Sequence, residues 1–286
     1  MIEATIDTQS RESLICRQNG SRARAAAGAA SHGAFLGAST LLFLVSSAVT
    51  VIRCGAMSAM GAMPMPGGWE LSMSWMRMPG QTWLAVAASA LGMWTVMMAA
   101  MMLPCLVPML LRYRRTVGTN GTRLGVLTAL VGAGYFFVWT VFAIALLPLG
   151  FGLAAIEMQQ PALARAVPIA TGIIVLIAGA LQLSAWKAHR LACCRQASMS
   201  PRILPGKSGA AWRHGMRLGL HCGRCCMNLM AILLVVGIMD LRVMVLVTGA
   251  LTLERMAPSG DRIARAVGVA VICIGLALIA RAAHLG

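Results

Sequence analysis

Charge is what this sequence of 286 residues has least of: Asp, Glu, Lys and Arg together make up 11% of it, while 59% is hydrophobic. Several apolar runs approach the roughly 20 residues that a helix needs to cross a bilayer, which excludes a soluble globular fold. Acidic residues are the scarcer sign, 8 against 24 Lys and Arg, leaving a net charge of +16. In a soluble chain that excess would point to nucleic acid. Here the basic residues fall almost wholly between the apolar runs, so no nucleic-acid partner is expected. Absent too are a Walker loop, a dinucleotide fingerprint and a hydrolase nucleophile elbow, which argues against an ATP-driven pump and leaves no catalytic residue to nominate.

The class expected is therefore all-α, a polytopic bundle of transmembrane helices, with the lipid bilayer as its first partner. Apolar segments lie near 33–52, 83–111, 124–152, 166–186, 217–239, 241–255 and 264–281, and each is read as a helix because a span must satisfy its backbone hydrogen bonds internally. Residues 1–32 form a polar, mobile tail, too long and too weakly patterned for a signal-peptide n-region. The transmembrane domain is 33–286, with a Met-rich outer loop at 53–82 and a basic loop at 187–217. Arg112, Arg114, Arg115 and Arg123 follow the second segment, and Lys187, Arg190, Arg195, Arg202, Lys207, Arg213 and Arg217 follow the fourth. The intervening loops hold only Arg53 and Arg77, and Arg165. The positive-inside rule then places the N-terminus and both basic loops in the cytoplasm of a bacterial inner membrane. The segment 241–255 offers only about 15 residues, roughly 22 Å of helix against a core of about 30 Å. With Asp240 and Arg242 as a polar break, it is either the second arm of a tight spanning hairpin or a re-entrant element, giving seven spans or six.

What the chain has in excess is sulfur. Residues 93–109 read M-W-T-V-M-M-A-A-M-M-L-P-C-L-V-P-M. At 100° per residue, Met93, Met97 and Met101 form one row, with Met98, Met102 and Met109 beside it and Trp94 and Cys105 between. Val96, Ala99, Leu103 and Leu110 occupy the other side, which suits lipid or a small-residue helix contact. Thioether and thiolate are soft ligands that select Cu(I), and a ladder of them would pass such an ion through apolar surroundings. Methionine as a flexible gap-filler gives the same pattern. Pro104 and Pro108 free carbonyls around Cys105 and can kink the helix. The outer loop adds Met57, Met60, Met63, Met65, Met73, Met76 and Met78, interleaved with Trp69, Trp75 and Trp83. This is either a flexible collecting arm for Cu(I) or a loop seated at the lipid headgroups.

The strongest constellation is His221-Cys222-Gly223-Arg224-Cys225-Cys226, at the start of the fifth apolar segment. Its spacing puts Cys222, Cys225 and Cys226 on one helix face near Met230, and Arg224 would favour thiolate over thiol. The basic loop adds Cys193, Cys194, His189 and His214, so that six of nine cysteines and three of five histidines lie on the cytoplasmic side. In a reducing compartment these are metal ligands rather than disulfides. Cys16, Cys54 and Cys273 are scattered and read as incidental. Asn228 either orients a ligand or bonds a neighbouring helix, and Asp240, Arg242 and Glu254 read as caps or snorkelling charges.

W-T-V-M-M-A-A-M-M-L-P at Trp94–Pro104, H-C-G-R-C-C at His221–Cys226, G-I-M-D at Gly237–Asp240 and L-E-R at Leu253–Arg255 together resemble the bacterial predicted metal-binding integral membrane proteins, domain of unknown function 2182. The resemblance covers roughly residues 80–280. It implies a multi-helix bacterial membrane protein that binds metal; Met227 departs from the aromatic residue the family carries after its double cysteine.

Three functions follow. The first is binding or transport of a soft metal ion, Cu(I) favoured, through Met93, Met97, Met98, Met101, Met102 and Cys105 to His221, Cys222, Cys225 and Cys226, with a metallochaperone or membrane subunit as partner. The second is a thiol-disulfide oxidoreductase cycling Cys222 and Cys225. The third is a non-enzymatic accessory or assembly subunit.

Overall fold

Apolar sequence with good helix formers and few internal breaks leaves helices as the one way to satisfy the backbone. A computed structural model of the chain describes residues 2–59, 61–66, 69–72, 80–117, 121–199, 207–238 and 240–285. Eight helices lie among them: α1 Ile2–Ala59, α2 Trp83–Thr116, α3 Thr122–Gln159, α4 Pro161–Leu183, α5 Ala185–Met199, α6 Ser208–Val236, α7 Leu241–Met256 and α8 Gly260–Leu285. The polar stretch 1–32 is continuous with the first apolar segment in α1. Pro104 and Pro108 sit inside an uninterrupted α2.

Six of these helices, all but α5 and α7, are long and apolar enough to cross a membrane. In α2 and α6 56% of the most apolar window is buried, against 17–28% in the other four, so the two sulfur-bearing helices form the interior. Leu103 and Leu110, on the side expected to meet either lipid or another helix, are buried, which favours the helix contact.

Glycine lets the helices approach. A Cβ on Gly134 would lie 2.6 Å from the Trp212 carbonyl oxygen, and one on Gly219 would meet Tyr135 and Val138 at 3.0 Å, so α3 and α6 run parallel in near-backbone contact. Gly172, Gly179, Gly268 and Gly275 make the antiparallel seam of α4 and α8 in the same way.

Between α6 and α7 the polar break is a capped turn. Gly237 takes φ 143° at the end of α6, and the Asp240 carboxylate accepts from the Arg242 and Val243 amides at 2.8 and 3.3 Å, satisfying the first turn of α7. The helix α7 then returns beside α6, and α8 begins next to Leu183 at the end of α4. With 16 residues, α7 is about 24 Å long, and it forms the short arm of a hairpin.

The Met-rich loop between α1 and α2 contains the one departure from all-helical structure among the described residues, an antiparallel pair of β1 Ala62–Met65 and β2 Trp69–Ser72. It is clipped to the α3–α4 corner: Trp69 Nε1 donates to the Ala164 carbonyl at 2.8 Å, and Met65 is buried against Ala154 and Ala164. At the opposite end Arg114, expected in a loop, is buried in the last turn of α2. Its guanidinium donates to the Ser31 carbonyl at 3.0 Å and lies 4.9 Å from the Phe35 ring centroid.

Candidate metal centre

The methionine row of α2 enters the protein interior. Met97, Met98, Met101 and Met102 are essentially without solvent exposure, packed with Trp94, Tyr135, Cys222 and Cys226 in one apolar cluster. Met93 lies half-buried at its rim. Trp94 Nε1 donates to the Trp139 carbonyl at 3.1 Å, fixing α2 on α3.

The cysteine motif sits well inside α6 rather than at its start, because the helix begins at Ser208, about 21 Å below Cys222 at about 1.5 Å per residue. Its three cysteines divide between two surroundings. Cys222 and Cys226 face α2 and α3, whereas Cys225 faces Leu191 and Cys194 of α5, with Met109 packed alongside. Cys105 is buried at 3.7 Å from the Thr252 hydroxyl of α7. His221 is half-buried and forms no hydrogen bond or ion pair among the described residues. Among those residues no three His, Cys, Asp or Glu side chains converge as ligands to one ion.

Cys222 is where the two sulfur motifs meet. Its Sγ lies 3.9 Å from Met102 Sδ, 2.8 Å from the Tyr135 hydroxyl and 3.0 Å from Arg255 Nη2. A sulfur facing a hydroxyl and accepting from a guanidinium is in surroundings suited to an anion. The cation expected from Arg224 comes instead from Arg255, since Arg224 is exposed. Among the described residues only one edge of that guanidinium is used: Nη2 also donates to the Cys222 carbonyl at 3.3 Å, while Nε and Nη1 are buried without a partner.

Beside this lies a polar network with no sulfur in it. Lys187 Nζ pairs with Glu254 at 2.8 Å, both 1% exposed, and donates to the Cys225 carbonyl at 2.8 Å. Gln182 donates to Glu254, and Asn228 donates to Gln182. Asn228 therefore bonds a neighbouring helix, and Glu254, read as a cap, is the centre of a buried ion pair joining α4, α5, α6 and α7. Tyr135 and Lys187 carry no sequence motif that marks them, and Arg255 is marked only as the end of the L-E-R stretch. Otherwise their only signal is an ionisable or hydroxyl group inside an apolar segment or at its edge.

The donor set suits one kind of ion. Buried thioethers, a cysteine sulfur beside a fixed cation, and no carboxylate at the sulfur suit a soft monovalent ion and offer little to a hard divalent one. His214 stacks on Tyr113 with 5.5 Å between centroids. Cys54 is buried and Cys273 exposed. In the Met-rich loop Met63 is exposed, and Met60, Met73, Trp75, Met76 and Met78 lie outside the described residues, as does the Cys16 side chain.

A family model described as PpoB2, copper chaperone, matches residues 91–278. That range begins just before the methionine row and ends within α8. No curated protein and no solved structure matches the chain.

Proposed function

We propose, for a chain that belongs to the PpoB2 copper chaperone family, that it holds Cu(I) inside the membrane on the sulfur of Cys222, Met102 and the adjoining methionine row, and passes it between the two faces of the bilayer. The observation that carries this reading is the 3.9 Å contact of Cys222 Sγ with Met102 Sδ, which joins the two sulfur motifs in one dry interior. Thioethers need no deprotonation to bind, and a thiolate neutralises the charge of one Cu(I), so the pair suits an ion crossing an apolar core. The residues assigned to the path are Met93, Met97, Met98, Met101 and Met102, then Cys222 with Cys226, then Cys105 and Cys225; His221 stands at its edge. Arg255 and Tyr135 position Cys222. Loop charge puts the N-terminus and α5 in the cytoplasm of a bacterial inner membrane, and the acceptor is a soluble metallochaperone or a membrane partner.

The test is metal content. The full chain, purified in detergent without oxygen and incubated with Cu(I) or Zn(II), is desalted and its bound metal measured by mass spectrometry. Copper retained by the wild type and reduced in Cys222→Ser is expected, with zinc retained by neither. Equal copper in the wild type and in Cys222→Ser overturns the reading.

A further inference from the structure

Cys225 packs in a different buried cluster from Cys222 and Cys226. Its buried pocket is formed with Leu191 and Cys194 of α5, and Met109 of α2 packs against it. The Cys194 and Cys225 thiols are hydrogen-bonding partners. Cys194 is held there because Lys187, two turns earlier on the same helix, is tied to the Cys225 carbonyl and to Glu254. The residue before it faces the other way: Cys193 Sγ lies 3.5 Å from Nε2 of His189, one turn back, and His189 is exposed. Adjacent residues on a helix point about 100° apart, so one inward and one outward cysteine at neighbouring positions connect a buried thiol to the surface without a channel.

From this geometry we infer that α5 is the exit for the ion: Cys225, Cys194 and Met109 form a second Cu(I) station, and Cys193 with His189 forms a surface station from which a soft-ligand acceptor collects it. The inference rests on the Cu(I) reading of the interior. Each step is an exchange of sulfur ligands with copper staying in the +1 state. Cys194 takes the ion from the Cys225 thiolate, and the proton of the Cys194 thiol passes to the Cys225 sulfur that is released. The move to Cys193 repeats this, its proton going back to Cys194. The nitrogen of His189 then supplies the second ligand at the surface.

Full-length protein loaded with Cu(I) in detergent is challenged with bathocuproine disulfonate, whose Cu(I) complex absorbs visible light, while total copper is measured in parallel. Cys194→Ala lowers the load by about one equivalent per chain. The double variant His189→Ala/Cys193→Ser, confined to the outer face of α5, keeps the buried load and slows transfer to the chelator at least about tenfold. A Cys222→Ser chain that keeps the full load defeats the interior reading and this inference with it. Copper that Cys222→Ser reduces, but whose amount and transfer rate are unchanged in Cys194→Ala and in the double variant, defeats the exit alone.

Discussion

Towards α4, α5 and α7, helix α6 presents Asn228 and the Cys225 carbonyl to a chain of groups in which Asn228 donates to Gln182, Gln182 to Glu254, and Glu254 pairs with Lys187. Towards α2 and α3 the same helix presents Cys222 and Cys226 to methionines, Tyr135 and Arg255. The first side is nearly closed: only Asn228 Oδ1 is without a partner in that network. The second is open in the chemical sense, because the thioether contact of Cys222 is long and, among the described residues, two nitrogens of Arg255 have no partner. The neighbours Glu254 and Arg255 serve one side each, so α7 locks the frame with one residue and tends the sulfur with the next. A buried ion pair specifies where helices stand, whereas soft, flexible thioethers packed around a thiol can exchange partners.

Breaking the frame has the largest effect. Glu254→Ala leaves the Lys187 ammonium buried and uncompensated, which costs about 3–5 kcal/mol. The expected result is loss of the monodisperse peak and of the thermal transition in detergent. Because replacing both partners by apolar groups removes the buried charge altogether, Lys187→Met/Glu254→Leu recovers most of that loss. If the single variant is as stable as the wild type, the pair is no frame and the contrast between the two sides fails.

On the sulfur side stability and binding separate. Cys222→Ser leaves the transition within about 1–3 kcal/mol of wild type but lowers Cu(I) affinity by at least tenfold, about 1.4 kcal/mol, in a competition titration with a chromogenic chelator. Arg255→Gln follows with a smaller loss of affinity, about 0.5–1.5 kcal/mol, since Tyr135 still faces Cys222. An Arg255 variant that unfolds the protein as Glu254→Ala does would place both residues in the frame.

How these assignments relate to the primary sequence depends on range. The helices, the capping role of Asp240 and the rotation of the methionine row were legible, because each follows from spacing within a few residues. The frame was not. Lys187 meets the Cys225 carbonyl 38 residues away, Gln182 reaches Glu254 across 72, and Tyr135 meets Cys222 across 87. No local pattern records such pairings, so Glu254 read as a cap and Arg224 as the cation beside the thiols. The division of Cys222 from Cys225 was hidden for the same reason: helical spacing says the two are neighbours but not which helix stands before each.

The smallest effect tests what the methionines are for. Met102→Leu conserves volume in a packed core, so it costs less than about 1.5 kcal/mol of stability whichever role the residue has. As a gap-filler, methionine is replaceable by leucine singly or in groups without consequence for copper. As a ligand row it is redundant for one change only: Met97, Met98 and Met101 remain beside the vacated position, and Met102→Leu lowers Cu(I) affinity by no more than about threefold, within about 0.7 kcal/mol. The two roles part in the combined variant with Met97, Met98, Met101 and Met102 all changed to Leu. A ligand row then loses copper uptake in a vesicle assay while Cys222 still binds the ion in detergent. Uptake unchanged by four substitutions would return these residues to packing and make the sulfur side of α6 a single-cysteine site.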